Sequence, residues 1–447
     1  MTRKIFGSSL SALVSVAELS TTENVIWIQN SKLIGGHFGG MILGNLKLDV
    51  GMVAQEPYSS AIETDSFTHR PPVGREGLPF VKIANEWLAQ HGEEFVELPV
   101  LVFRHDTVMP DYLIADSLEV LQKLDEPLKI KIIEEISALR ETNKYPITAH
   151  PRDKGCSDDY LRLSFESMSE QLFGKTFHDN LMAPWLDRLN PNLATWLPAR
   201  DHRTAWVPFY YPETILGVIA NEISPSQMRR PFRVPKNSSI AMMVSRLISK
   251  IDTSKVEIVL DESSNISPSA DDILLTSTTD IFSRLKRPFS PNYTDKFVAP
   301  IVIAFFQYDR CVADEKIVNF MGKDIGPYRI CIRNIEDELL STNISIEFGN
   351  EFEGATDDEI LYKSRESLEQ ISVGTDFHRY KIKRLSIKVP YGQSRFDIEN
   401  NSRLAIEAIQ ERKLHGYPID FGSSTLNDQI LLGLWSANAA RNSILES

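Results

Sequence analysis

Residues 1 to 52 constrain the fold more than any other part of the chain. They run Lys4-Ile5-Phe6, then Gly7-Ser8-Ser9-Leu10-Ser11-Ala12, then an apolar stretch to Leu19. A second short strand is predicted at Val25-Ile26-Trp27-Ile28. Leu33-Ile34-Gly35-Gly36-His37-Phe38-Gly39-Gly40 and Leu48-Asp49-Val50-Gly51-Met52 follow. Strand, tight turn, helix and strand within about 30 residues is the βαβ arrangement that lays a pyrophosphate on a helix N-terminus. The pattern is imperfect here. Ser9 replaces the second glycine of the G-x-G-x-x-G/A fingerprint, and Gln29 stands where an acidic residue is expected.

Composition narrows the function classes. At 447 residues the chain has room for roughly two or three domains. A hydrophobic share of 42% and a charged share of 24% describe an ordinary globular protein. The formal net charge of -13 argues against a nucleic-acid binder, which needs a basic surface. Cys156, Cys311 and Cys331 offer neither a disulfide framework nor a CxxC metal knuckle, so no metal is expected. That usage fits a reducing, cytoplasmic setting. Thr2-Arg3-Lys4 and the apolar stretch to Ala17 imitate a signal peptide. The break at Gly7-Ser8-Ser9 and the completed βαβ unit weigh against one. No run is long enough for a membrane span; Pro300 to Phe306 reads as a buried strand.

Apolar spacing predicts helices over Phe80–Gln90, Leu113–Arg140, Leu161–Leu189 and Ile240–Ile251. Val96–Phe103 reads as one strand, and a proline-rich loop is expected around Pro191, Pro198, Pro208 and Pro212. Strands are expected at Val256–Leu260, Asp272–Thr276, Phe297–Phe306, Tyr328–Ile332, Ile344–Phe348 and Ile382–Val389. Further helices are expected at Asp357–Ile371 and from Ile430 through Ala440.

This order of segments resembles the flavin superfamily of amine oxidases, phytoene desaturases, protoporphyrinogen oxidase and UDP-galactopyranose mutase. Four places carry the resemblance. They are Gly7-x-Ser9-x-x-Ala12; Leu33-Ile34-Gly35-Gly36 with Gly44, Asp49 and Gly51; the segment from Ser164-Phe165 through Phe173-Gly174-Lys175 to Pro184 and Tyr211-Pro212; and Gly422 with Asn427-Asp428-Gln429-Ile430 and Gly433. Phe232 to Leu247 with Val256 to Leu260 looks like the family's return to the cofactor domain.

The resemblance implies an α/β fold: a Rossmann-like FAD/NAD(P)-binding domain with an interleaved substrate domain of helices and an antiparallel sheet. The first would comprise 1–65, 230–290 and 400–447, and the second 66–229 and 291–399. FAD is the implied cofactor, with NAD(P) the lesser candidate. Its contacts would come from Gly7, Ser9, Leu10 and Ser11; from Gln29 and Asn30; from Gly35, Gly36 and His37; from Gly51 and Met52; and from Gly422, Ser423, Asn427, Asp428, Gln429 and Ile430. His37 and Arg329 are the catalytic candidates.

Three positions depart from the family. Ser9 either crowds a pyrophosphate or donates to it. Gln29 loses the charge-assisted bond to the ribose that a glutamate would make. Ser423 stands where the family usually has an aspartate on the ribityl chain.

The implied function is an FAD-dependent oxidoreductase or a redox-neutral mutase. Scattered arginines and tyrosines suit a nucleotide-activated sugar: His69-Arg70, Arg75, Arg104-His105, Tyr210-Tyr211 and Trp206. The alternative is a degenerate member that keeps the fold for binding or assembly; a homo-oligomer is compatible with either reading. No Ser-His-Asp order, HExxH, P-loop or EF-hand offers a different chemistry.

Overall fold

The computed structural model describes residues 2–51, 53–55, 79–113, 117–142, 163–197, 199, 212–225, 231–289, 296–321, 326–336, 339–390, 392–419 and 425–445. Met52, Gly422, Ser423, Cys156, Trp206, Tyr210, Tyr211, Arg75 and the segment at His69 and Arg70 lie outside them.

The chain opens with β1 (Thr2–Phe6), α1 (Leu10–Leu19), β2 (Asn24–Gln29), β3 (Met41–Leu43) and β4 (Leu46–Leu48). It continues with α2 (Pro79–Gln90), β5 (Phe95–Leu98), β6 (Val100–Arg104), β7 (Thr107–Pro110), α3 (Glu119–Lys123) and α4 (Glu126–Thr142). Then come α5 (Phe165–Phe177), α6 (Ala183–Leu189), α7 (Leu193–Trp196), α8 (Pro212–Ile219), β8 (Phe232–Pro235), α9 (Ile240–Ser249), β9 (Val256–Leu260), β10 (Ile273–Leu274) and α10 (Thr278–Arg284). The last part holds β11 (Lys296–Gln307), β12 (Lys316–Phe320), β13 (Arg329–Glu336), β14 (Leu340–Phe348), α11 (Asp357–Gln370), β15 (Arg379–Pro390), α12 (Gly392–Glu411), β16 (His415–Gly416) and α13 (Leu426–Leu445).

Two sheets organise these elements. The first is five-stranded and wholly parallel, ordered β16-β10-β1-β2-β9. Its strands come from distant parts of the sequence. The second is seven-stranded, ordered β15-β11-β14-β13-β12-β6-β7. It is mixed rather than antiparallel as expected, because β6 runs parallel to β12.

The reason lies at Pro99. The strand expected over Val96–Phe103 is two strands, β5 and β6, in different sheets. β5 pairs with β8 while β6 pairs with β12. A proline has no N–H for a ladder, so pairing can change partner there. The helix expected over Leu113–Arg140 is likewise two. Leu124 is extended (ψ 151), and the Asp125 carboxylate accepts the Leu128 N–H to start α4. The long Leu161–Leu189 helix gives way to a π-type turn at His178–Met182 between α5 and α6. Pro212 opens α8 instead of extending a loop, a placement that uses its missing N–H at a first turn.

Side-chain chemistry explains how the first sheet is closed. Gly7 has φ 127, and a Cβ there would stand 2.2 Å from the Leu275 carbonyl oxygen. Only glycine lets the chain turn out of β1 so close to the strand beside it. The Trp27 indole N–H donates to the Gly7 carbonyl at 2.8 Å and fixes the turn. α1 is buried along most of its length, wedged between the sheet and α13. At that seam a Cβ on Gly433 would lie 2.6 Å from the Ser11 carbonyl oxygen.

The second sheet has two unlike faces. Val302, Ala304, Phe306, Ile330, Ile332, Ile344 and Ile346 pack on Ile360 and Leu368 of α11 as an apolar core. The opposite face, one residue out of phase, carries Arg329, Cys331, Arg333, Asn343, Ser345 and Glu347, all buried. On that face the β3–β4 hairpin packs against Ile303, Phe305 and Ile335. Among the described residues no helix is long and apolar enough to cross a membrane.

Candidate functional site

The turn between β1 and α1 collects several of the expected residues. Ser8 is tied to the loop after β2: its hydroxyl donates to the Ser31 carbonyl at 2.9 Å and accepts the Ser31 N–H at 3.0 Å. Its own carbonyl accepts the Gly35 N–H at 2.7 Å. Ser9 is the N-cap of α1. Its hydroxyl accepts from the Ala12 N–H at 3.1 Å and donates to the Leu275 carbonyl at 2.9 Å. The serine in place of a glycine is therefore occupied with capping its own helix. Ser11 donates from both its N–H (3.1 Å) and its hydroxyl (2.6 Å) to one atom, Gln429 Oε1.

Beyond β2, the Gln29 carbonyl accepts from Asp261 N–H at 2.7 Å. The Asn30 amide donates to Thr276 Oγ1 at 2.7 Å and lies 3.4 Å from Asp280 Oδ2. Asp280 and Asp261 both bind the fully buried Arg284 guanidinium, at 3.0 and 2.9 Å. Burial opposes the Asp261 charge, but hydrogen bonds from Ile266, Asn265 and Arg284 hold its carboxyl below the usual range.

Gly35 and Gly36 begin a short 3-10 turn, Gly36–Gly39. Gly36 has φ 59, and nothing stands within 4 Å of where its Cβ would be. The loop therefore borders open space. His37 follows it. Its side chain keeps accessible surface, yet protein crowding lowers its pKa to about 4. His37 is thus neutral near pH 7 and can form a hydrogen bond, but supplies neither positive charge nor a ready proton.

Asp49, named above as part of the second glycine motif, has a structural task. Its two oxygens accept the N–H groups of Ile240 and Ala241 at 3.1 and 2.8 Å, capping α9. Burial raises its pKa against the opposing pull of Arg333 and those N–H groups. The C-terminal residues are similarly employed. Asn427 Oδ1 accepts from the Gln55 amide at 3.0 Å. Asp428 and Thr425 cap each other at 2.9 and 3.1 Å. Ile430 lies in the core beside α1.

Gly51 meets the polar face of the second sheet. A Cβ on it would stand 3.6 Å from Glu347 Oε1. Glu347 lies between β13 and β11 in the sheet, opposite Arg329. Its Oε2 accepts the Tyr328 hydroxyl at 2.6 Å and lies 3.5 Å from Arg329 Nη1. Its Oε1 is buried with no described partner. Arg329 donates to Asn319 Oδ1 at 3.1 Å, and the Asn319 amide donates to Asp111 at 3.2 Å. The Arg329 guanidinium also lies over the Trp185 and Tyr328 rings, at 5.6 and 5.5 Å. Burial, then the Glu347 charge, raise the Tyr328 pKa well above its ordinary value, so the phenol keeps its proton. Burial pushes the Cys331 thiol up to about 12, which makes it inert.

Sequence reading found Arg329 but not Glu347, Asn319 or Asp111. For Glu347 the signal was present as polar residues at every second position of two isoleucine-rich strands. That alternation ordinarily marks a solvent face, which hid it.

A dinucleotide can be tested against this geometry. The glycine turns at 7 and 35–36 and the open space at Gly36 suit its close approach. Among the described residues no acceptor faces the N–H groups of Ser9 or Leu10, and such donors at a helix start suit an anion. The residues fit the group, with one donor pair, that of Ser11, already engaged by Gln429. Among the described residues no cluster of His, Cys, Asp or Glu is arranged for a metal ion.

No protein-family model matches the chain, and no curated protein matches its sequence. Solved structures do match. Reduced UDP-galactopyranose mutase aligns over 99% of this chain and 95% of its own, with TM-score 0.60 and 11% identity. A proposed protoporphyrinogen oxidase from Exiguobacterium sp. 255-15 covers 100% and 99%, with TM-score 0.59 and 10% identity. A cofactor-binding redesign of putrescine oxidase covers 99% of each chain, with TM-score 0.56 and 11% identity. Likeness at these identities speaks for the fold alone, which the chain shares with these three solved structures.

Proposed function

We propose that this protein is a flavin-dependent enzyme, an oxidoreductase or a redox-neutral mutase. In this reading FAD lies at the carboxyl end of the five-stranded sheet. A small polar molecule, such as a nucleotide-activated sugar, lies against the polar face of the second sheet. The observation that carries the reading is Glu347 Oε1, buried without a partner beside Gly51. An unsatisfied buried acceptor is unfavourable in the empty protein and becomes favourable when a ligand brings a donor.

Bound FAD supplies electron-pair or hydride chemistry at its ring. The side chains do the rest. Glu347 Oε1 accepts a hydrogen bond from a hydroxyl or amine of the ligand and so orients it. Tyr328 holds the other carboxylate oxygen, and Arg329 balances the charge. Asn319 and Asp111 fix Arg329 from behind. His37, neutral, forms one hydrogen bond at the cleft wall.

The test is retention of flavin. Purified protein is incubated with FAD, freed of excess, and its visible absorbance and thermal midpoint recorded. Retained flavin and a raised midpoint are expected. No retained flavin and no shift would remove the enzyme reading and leave a fold kept for binding alone. Parallel scans with NAD and NADP separate the nucleotides, with the larger shift expected from FAD.

A further inference from the structure

We propose that Gln429 is an internal ligand of the anion subsite at the start of α1, and that it sets the affinity for the pyrophosphate of a dinucleotide. The proposal rests on the flavin reading of the cleft, which assigns that subsite its ligand.

The first turn of α1 presents the N–H groups of Leu10, Ser11 and Ala12. Ser9 satisfies that of Ala12. The N–H and hydroxyl of Ser11 converge on Gln429 Oε1, at 3.1 and 2.6 Å. Two donors meeting on one oxygen at a helix start is how such a turn holds a phosphate oxygen. Here the oxygen belongs to a carboxamide of the protein. Gln429 is 2% exposed, so it does not share the position with solvent.

The backbone that carries it is held in place. The Ser15 hydroxyl donates to the Gly433 carbonyl at 2.7 Å, and α1 and α13 touch too closely at Gly433 for a Cβ. These contacts hold the two helices together, so in this proposal a phosphate reaches the Ser11 donors by the Gln429 side chain turning away.

The competition is unequal in a defined direction. A pyrophosphate forms charge-assisted bonds, roughly twice as strong as those to a neutral amide, and the helix dipole favours it. It therefore displaces the carboxamide, but its gain is reduced by the two bonds lost. Removing the carboxamide removes the competitor and leaves Ser11 unsatisfied until an anion binds.

The experiment is calorimetric titration of wild type, Gln429→Ala and Gln429→Glu with FAD, ADP and adenosine. Gln429→Ala is expected to bind FAD and ADP about tenfold more tightly than wild type, a factor typical of one net hydrogen bond. Adenosine, which lacks phosphate, is expected to show no such gain. Gln429→Glu keeps the shape and the bonds to Ser11 but repels phosphate. Its affinity for FAD and ADP is expected to fall by about tenfold or more, on the same scale, so it decides the matter should Gln429→Ala not fold. Equal affinities across the three proteins overturn the role of Gln429 and leave the flavin reading standing. Binding by Gln429→Ala alone supports the role and removes flavin from the wild-type protein. No binding by any of them overturns both.

Discussion

The start of α1 and the polar face of the second sheet handle polar groups in opposite ways. At the start of α1 the serine side chains are neutral and each finds a partner, Ser8 with Ser31, Ser9 with Leu275 and Ala12, Ser11 with Gln429, which leaves only the backbone N–H groups of Ser9 and Leu10 open among the described residues. On the polar face of the second sheet they are charged and incompletely satisfied. Arg329 and Glu347 are 4% exposed each, and Glu347 Oε1 and Asn343 Oδ1 have no described partner. A neutral, closed network stabilises the empty protein. A charged, open one stabilises a complex more than the empty protein, because the missing partner has to be brought in. The contrast places the stronger demand for a ligand on the sheet, where sequence reading had found Arg329 but not Glu347.

The largest effect expected from this contrast is at Arg329. Arg329→Ala strands the Glu347 carboxylate and Asn319 in the interior, and the loss should be about 3–5 kcal/mol. Urea unfolding measures it, and a loss below about 1 kcal/mol would mean the pair behaves like a surface one. The start of α1 depends on packing instead. Gly433→Ala drives a methyl into the Ser11 carbonyl and Val14. It should lose about 1–3 kcal/mol by overpacking with no dependence on salt. A salt-dependent loss would show that charge, not fit, holds α1 to α13.

Much of the architecture was legible because local patterns agree with it. The run from Lys4 to Ile28 shows its turn glycine and its apolar helix in order, and β1, α1 and β2 follow. The period-two isoleucines of β13 and β14 gave those strands as well. Pro99 was visible too, but its consequence was not. A proline announces that a ladder is interrupted, and not which sheet the chain joins next. The hairpin β3–β4 was missed because its strands span only Met41–Leu43 and Leu46–Leu48, too short for alternation to register. At the site, glycines announced themselves by type. The function of Asp49 as a cap of α9, and the bond from Ser11 to Gln429, join residues far apart in sequence. No local pattern encodes such a pair. Met52, Gly422 and Ser423 fall outside the described residues and stay expectations.

Smaller effects test whether the start of α1 is as self-sufficient as its hydrogen bonds indicate. Ser9→Ala removes the cap on the Ala12 N–H and the bond to Leu275, and should lose about 1 kcal/mol. Ser9→Gly, which restores the glycine of the fingerprint, should lose only a few tenths, roughly, since glycine is itself a tolerable N-cap. An equal loss in both would mean the bond to Leu275 matters more than the cap.

The smallest effect is at His37, and its sign is fixed. Desolvation takes its pKa from 6.5 to about 4 in the folded protein, while the unfolded chain keeps the ordinary value. The unfolded state therefore binds the proton first as pH falls. The contribution of the neutral ring is fully present above pH 6.5 and is lost as pH falls toward about 4. Because the ring retains accessible surface, solvent screens the effect and the slope should be shallow. His37→Gln should flatten the profile in that window alone, which a difference from wild type isolates from His178 and His415, whose pKa values burial also lowers. The direct measurement is an NMR titration of the ring, with a midpoint expected below the ordinary 6.5. A midpoint at or above 6.5 would put His37 in open water.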